Sequence, residues 1–83
     1  MTATESAPLA IASTLDAKGL KCPMPIVRTA QAIKTLSPGQ LLEVLATDPG
    51  AVADFGAWSR STGNDLVTSS VDGGVYRFVI RHK

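Results

Sequence analysis

Hydrophobic and polar positions change period several times along the chain, and each change marks an element. Ser13-Thr14-Leu15-Asp16-Ala17 is a short extended run, predicted as the first strand. From Pro23 to about Leu36, Ile26, Ala30 and Ile33 recur at helical spacing and Val27 widens the stripe, with Arg28, Gln31 and Lys34 facing water. Ser37-Pro38-Gly39 ends this helix, since proline cannot continue it and glycine releases the chain. Leu41 to Thr47 is an apolar run of strand length broken by Glu43. Asp48-Pro49 then reads as an N-cap followed by proline at the first helical position. The second helix is expected from Pro49 to about Thr62, with Val52, Phe55 and Trp58 inward, Asp54 and Arg60 outward, and Gly63-Asn64 as the stop. Leu66–Val71 and Val75–Arg81, joined by Asp72-Gly73-Gly74, form a hairpin. In its last strand Tyr76, Phe78 and Ile80 meet the core, and Arg77, Val79 and Arg81 lie on a largely wet face.

The order strand, helix, strand, helix, strand, strand predicts an α+β fold, a two-layer α/β sandwich with two helices on one face of a four-stranded mixed sheet. Eighty-three residues with 45% apolar content make one small domain, read as 13–83 after a disordered tail at 1–12. The tail contains Glu5 and Pro8 and lacks a basic start followed by a long apolar core, so it does not read as a signal peptide. No run is long enough to span a bilayer, and an unpaired thiol suits a reducing compartment, so the expected location is cytoplasmic, with no membrane partner. A net charge of +1 with scattered basic residues gives no reason to expect nucleic acid.

The chemistry narrows to Gly19-Leu20-Lys21-Cys22-Pro23-Met24-Pro25, which holds the only cysteine. One cysteine excludes an internal disulfide and a Cys-x-x-Cys pair, and with His82 as the only histidine, read as a solvated ring, no protein-only zinc site is expected. Cys22 precedes a proline and is expected to cap the first helix, with Pro23 at its first position. Prolines 23 and 25 have no N–H, which leaves the Met24 amide to face the sulfur. The helix dipole and Lys21 would then lower the thiol pKa below about 8.5 and present an exposed nucleophile. A merely buried, core cysteine fits poorly with two prolines and with Gly19 and Lys21 as neighbours.

Leu15-Asp16-Ala17-x-Gly19-Leu20-x-Cys22-Pro23-x-Pro25, followed by Asp48-Pro49 and Thr62-Gly63-x-x-Leu66-Val67, resembles the TusA/SirA-like sulfur carriers over residues 13 to 83. The resemblance implies a βαβαββ sandwich similar to the C-terminal domain of bacterial initiation factor 3. It also implies that Cys22 accepts sulfane sulfur as a persulfide from a donor protein and hands it to an acceptor, without a cofactor. Cysteine desulfurases, rhodaneses and DsrE-like proteins are the implied partners. The absence of a second thiol suits such a role, because a resolving cysteine would discharge the cargo as a disulfide. Met24 stands where some tRNA-thiolation members carry an acidic residue, and Cys-Pro-Met-Pro-Ile also resembles members acting in sulfur oxidation on thiosulfate-derived sulfur. Both routes stay open, and Met24 could equally pack on the loop. An RNA-binding module and a thiol switch are the alternatives.

Among the remaining residues, Asp48 is read chiefly as a helix cap. If the first two strands are parallel neighbours, both helix starts share one sheet edge and Asp48 lies near Cys22, where it could steer partners. Lys18, Lys21 and Arg28 are candidates for a basic rim attracting an acidic donor surface or thiosulfate. Phe55 and Trp58 are read as core.

Overall fold

The computed structural model describes residues 10–83, in which six elements follow one another as β1 (Ile11–Ala17), α1 (Met24–Ile33), β2 (Leu41–Ala46), α2 (Ala51–Thr62), β3 (Asp65–Asp72) and β4 (Val75–Arg81). β1 starts two residues ahead of the expected Ser13. The first nine residues of the predicted tail lie outside the described residues.

The sheet order is β1-β2-β4-β3, with β1 and β2 parallel and the β2–β4 and β4–β3 pairs antiparallel, so the sheet is mixed. α1 is the crossover that a parallel β1–β2 pair requires. The two central strands carry most of the sheet's buried positions. Register aligns Leu15 with Val44 and Val44 with Phe78, placing apolar residues of three strands on one face. Ile33 from α1 and Ala51 and Phe55 from α2 join Leu42, Val44, Ala46, Phe78 and Ile80 in one buried cluster. Both helices therefore cover the same face, as the element order predicts. Phe55 stacks on Phe78, with centroids 4.3 Å apart, and meets Trp58 edge-on.

Each helix is turned relative to its expected face. In α1 the buried residues are Pro25, Thr29 and Ile33, whereas Ile26 packs only partly against the core and Val27 is exposed. Thr29 tolerates burial because its hydroxyl donates to the Pro25 carbonyl over 2.8 Å. The helix ends at Ile33 rather than Leu36, and tighter three-residue bonds, Thr35 N to Ala32 O and Leu36 N to Ile33 O, take over. In α2, Ala51 is buried in place of Val52, which is 46% exposed. α2 also begins two residues after Pro49, with Gly50 at its N-cap and no side-chain cap, so Asp48 does not cap it. At the other end Gly63 is the left-handed C-cap, φ 81°, as its position predicts.

The hairpin forms as read, with Gly73 and Gly74 both at positive φ between paired Asp72 and Val75. The sheet's second face is less wet than its sequence suggests. Glu43 binds Arg77 there and accepts from the Thr14 hydroxyl, yet Val79 on the same face is fully buried. No helix among the described residues is long and apolar enough to cross a membrane.

Candidate functional site

Because β1 and β2 run parallel, the loops that leave them emerge at one sheet edge, beyond the paired residues Ala17 and Ala46. Backbone amides of the first loop are tied to side chains of the second. Gly19 N donates to Thr47 Oγ1 over 2.9 Å, and Cys22 N donates to Asp48 Oδ2 over 3.0 Å. Gly19 takes φ 82°, which lets the chain turn back beside Thr47. Asp48 thus fastens the cysteine loop instead of capping α2. The two loops bound an open cleft of about 400 Å³ lined by Gly19, Leu20, Lys21, Thr47, Asp48 and Pro49.

Cys22 is exposed beside this cleft. It lies one residue outside the cap position, which Pro23 occupies, and the Cys22–Pro23 peptide is cis. The Met24 amide is turned away from the sulfur and donates to the Lys21 carbonyl over 2.8 Å, while the amides of Ile26 and Val27 donate to the Pro23 carbonyl. The α1 terminus therefore offers the sulfur no free N–H, and the expected dipole stabilisation, which resides in those groups, is lost. The thiol instead donates to Asp54 Oδ2 over 2.7 Å.

This contact reverses the expected electrostatics. The hydrogen bond to Asp54 stabilises the protonated sulfur, and slight desolvation and the charges of Asp54 and Asp48 disfavour the thiolate, so the thiol is pushed above its ordinary pKa. Lys21 does not offset them. Lys18, Lys21 and Arg28 are exposed and form no ion pair among the described residues, and Pro23 and Met24 are exposed while Pro25 is buried. No group of three or more His, Cys, Asp or Glu residues among those described converges to hold a metal ion.

Asp54 is the site residue that pattern reading missed. Its polar type assigned it to the outer face of α2. The available signal was its place in the first turn of a helix whose start shares a sheet edge with the cysteine loop, where an acidic residue is also favoured by the helix dipole.

The sequence profile of the family described as Sulfurtransferase TusA matches residues 13–82. This chain belongs to the TusA family. Its relatives include the sulfur carrier protein TusA of Allochromatium vinosum, 49% identical over 67 residues that cover 81% of this chain and 88% of the relative. The putative sulfur carrier protein YrkI of Bacillus subtilis is 55% identical over 67 residues, 81% of this chain and 89% of the relative. The crystal structure of a SirA-like protein from Desulfitobacterium hafniense superposes with a TM-score of 0.73 at 25% identity, covering 83% of this chain and 95% of that one. The TusA match takes in the cysteine loop, Asp48 and Asp54, all the residues that meet at the site.

Proposed function

We propose that this TusA-family chain is a sulfur carrier, with Cys22 taking up sulfane sulfur as a persulfide and relaying it between proteins. The observation that carries this reading is a single exposed thiol on a loop fastened to its neighbour, with no second cysteine in the sequence. In the uptake step Sγ attacks the outer sulfur of a donor persulfide. A bond from Sγ to that sulfur forms, the donor's S–S bond breaks, and the donor leaves as a thiolate that takes up the proton lost by Cys22. No external oxidant or reductant is needed. Release to an acceptor thiol runs the same exchange in the other direction.

A raised pKa makes the thiolate scarce at neutral pH, but each thiolate is more nucleophilic, which offsets part of the loss. The partners are donor and acceptor proteins, with cysteine desulfurases, rhodaneses and DsrE-like proteins as candidates, and Met24, 38% exposed beside the cysteine, is available to touch them. Lys18, Lys21 and Arg28 supply exposed positive charge for an acidic partner surface or thiosulfate. A free thiol fits work in the cytoplasm. The relay serves either sulfur oxidation or sulfur supply for tRNA thiolation and cofactors.

Incubation with a persulfide donor followed by intact-mass measurement tests the reading. The wild type should gain the mass of sulfur and Cys22→Ala should not; a reduced, accessible Cys22 that gains none would refute it.

A further inference from the structure

The thiol proton has a defined destination. Sγ donates to Oδ2 of Asp54 from α2, and Asp48 presents its carboxylate to the amide of the same cysteine from the loop after β2. Lys21 flanks the sulfur on its own loop. Neither Asp48 nor Asp54 forms an ion pair among the described residues, so neither carboxylate beside the sulfur is neutralised by a direct basic partner.

We propose that Asp54 is a positioning residue for the sulfur relay, holding the empty carrier's thiol through its proton and turning the loaded carrier's persulfide away from α2. This rests on the carrier reading of Cys22. In the empty protein the S–H···Oδ2 contact fixes the side-chain rotamer and keeps the sulfur neutral. Loading replaces that hydrogen on Sγ with a second sulfur. The terminal S–H of a persulfide is more acidic than a thiol, so at neutral pH the cargo is an anion. It has no proton to donate to Asp54 and is repelled by both carboxylates, which directs it outward to an acceptor. One side chain thereby separates the empty state from the loaded one.

Two readouts test this. The first is the pH profile of alkylation of the empty carrier by iodoacetamide in the wild type, Asp54→Asn and Asp54→Glu. Asparagine should move the midpoint to lower pH. A shift of about one unit raises the thiolate fraction about tenfold and lowers intrinsic nucleophilicity about threefold, so alkylation at pH 7 should be about threefold faster. Glutamate should move the profile back toward the wild type, which a merely structural role would not produce. A wild-type profile in Asp54→Asn overturns the proposal. The second is the carbon-13 shift of the Asp54 carboxyl in the wild type, which should change on loading; a resonance indifferent to a load confirmed by mass overturns the outward-turning half. The alkylation profile needs no sulfur transfer, so failure of the carrier reading and failure of this inference are distinguishable.

Discussion

Cys22 and Asp54 are 32 positions apart in sequence, and the thiol of the first donates to Oδ2 of the second over 2.7 Å. The contact exists because a parallel β1–β2 pair brings two loop-to-helix junctions to the same edge, one carrying the sulfur and the other the carboxylate. The sulfur is therefore exposed but not acidic, and its reactivity is governed by a residue of the neighbouring helix and not by its own.

The raised thiol pKa has a direct kinetic consequence. At neutral pH a smaller fraction of Cys22 than of a free cysteine is thiolate, so alkylation by iodoacetamide should be slower than that of a cysteine peptide. The gap should close as pH rises through the protein's own midpoint. Rate profiles of protein and peptide under the same conditions check this.

Asp48 positions the loop through the Cys22 amide. In Asp48→Ala that acceptor is lost, and loading by a protein donor should slow by about tenfold because small displacements of a reacting atom are costly. Thermal stability should change little, by about 1 kcal/mol or less, since the bond is exposed. Loading kinetics beside a melting curve separate the two effects.

Phe55 is fully buried and stacked on Phe78. Phe55→Ala should cost about 3–5 kcal/mol, a large share of the about 5–15 kcal/mol that holds a domain together. Phe55→Leu should cost much less. Urea titration of both variants measures the difference.

Gly63 caps α2 at φ 81°. An alanine there meets only an ordinary contact with Lys83 Cδ at 3.4 Å, so the cost is backbone strain and not a clash. Gly63→Ala should lose about 1–2 kcal/mol, lowering Tm by about 4–8 °C per kcal/mol in a domain of this size.

On the second sheet face, Arg77 and the Thr14 hydroxyl hold the Glu43 carboxyl below its ordinary pKa. A lowered folded-state pKa stabilises the fold above the unfolded-state value of about 4.3, and that contribution fades as pH falls through the folded value. Glu43→Gln should therefore be less stable than the wild type at pH 7, by about 0.2–1 kcal/mol for a pair that solvent still reaches, and nearly equal to it once the carboxyl is protonated. Melting at both pH values decides.

These relationships were unequally legible in the sequence. Asp72-Gly73-Gly74 and Gly63 declare themselves because only special backbone angles satisfy a tight hairpin or a helix stop, and glycine tolerates them. The proximity of Asp48 to Cys22 follows from topology once β1 and β2 are parallel. What sequence pattern does not convey is which side of a short helix faces inward. Ala51 and Thr29 are buried although neither looks like a core residue, and Val52 is exposed although it does. With Ala51 and Phe55 facing inward, Asp54 is half-buried at the boundary of the packed face, within reach of the sulfur. The cap expected at Cys22 fell to Pro23, and with it the argument for an acidic thiol.

Cyanolysis of the loaded, desalted protein is the most direct test of Cys22 as the carrying atom, because cyanide removes sulfane sulfur as thiocyanate and counts it. The account predicts one equivalent of thiocyanate per chain from the wild type, none from Cys22→Ala, and recovery of the unmodified mass afterwards. Equal thiocyanate from both proteins, or none from a wild type whose thiol is reduced, would contradict it.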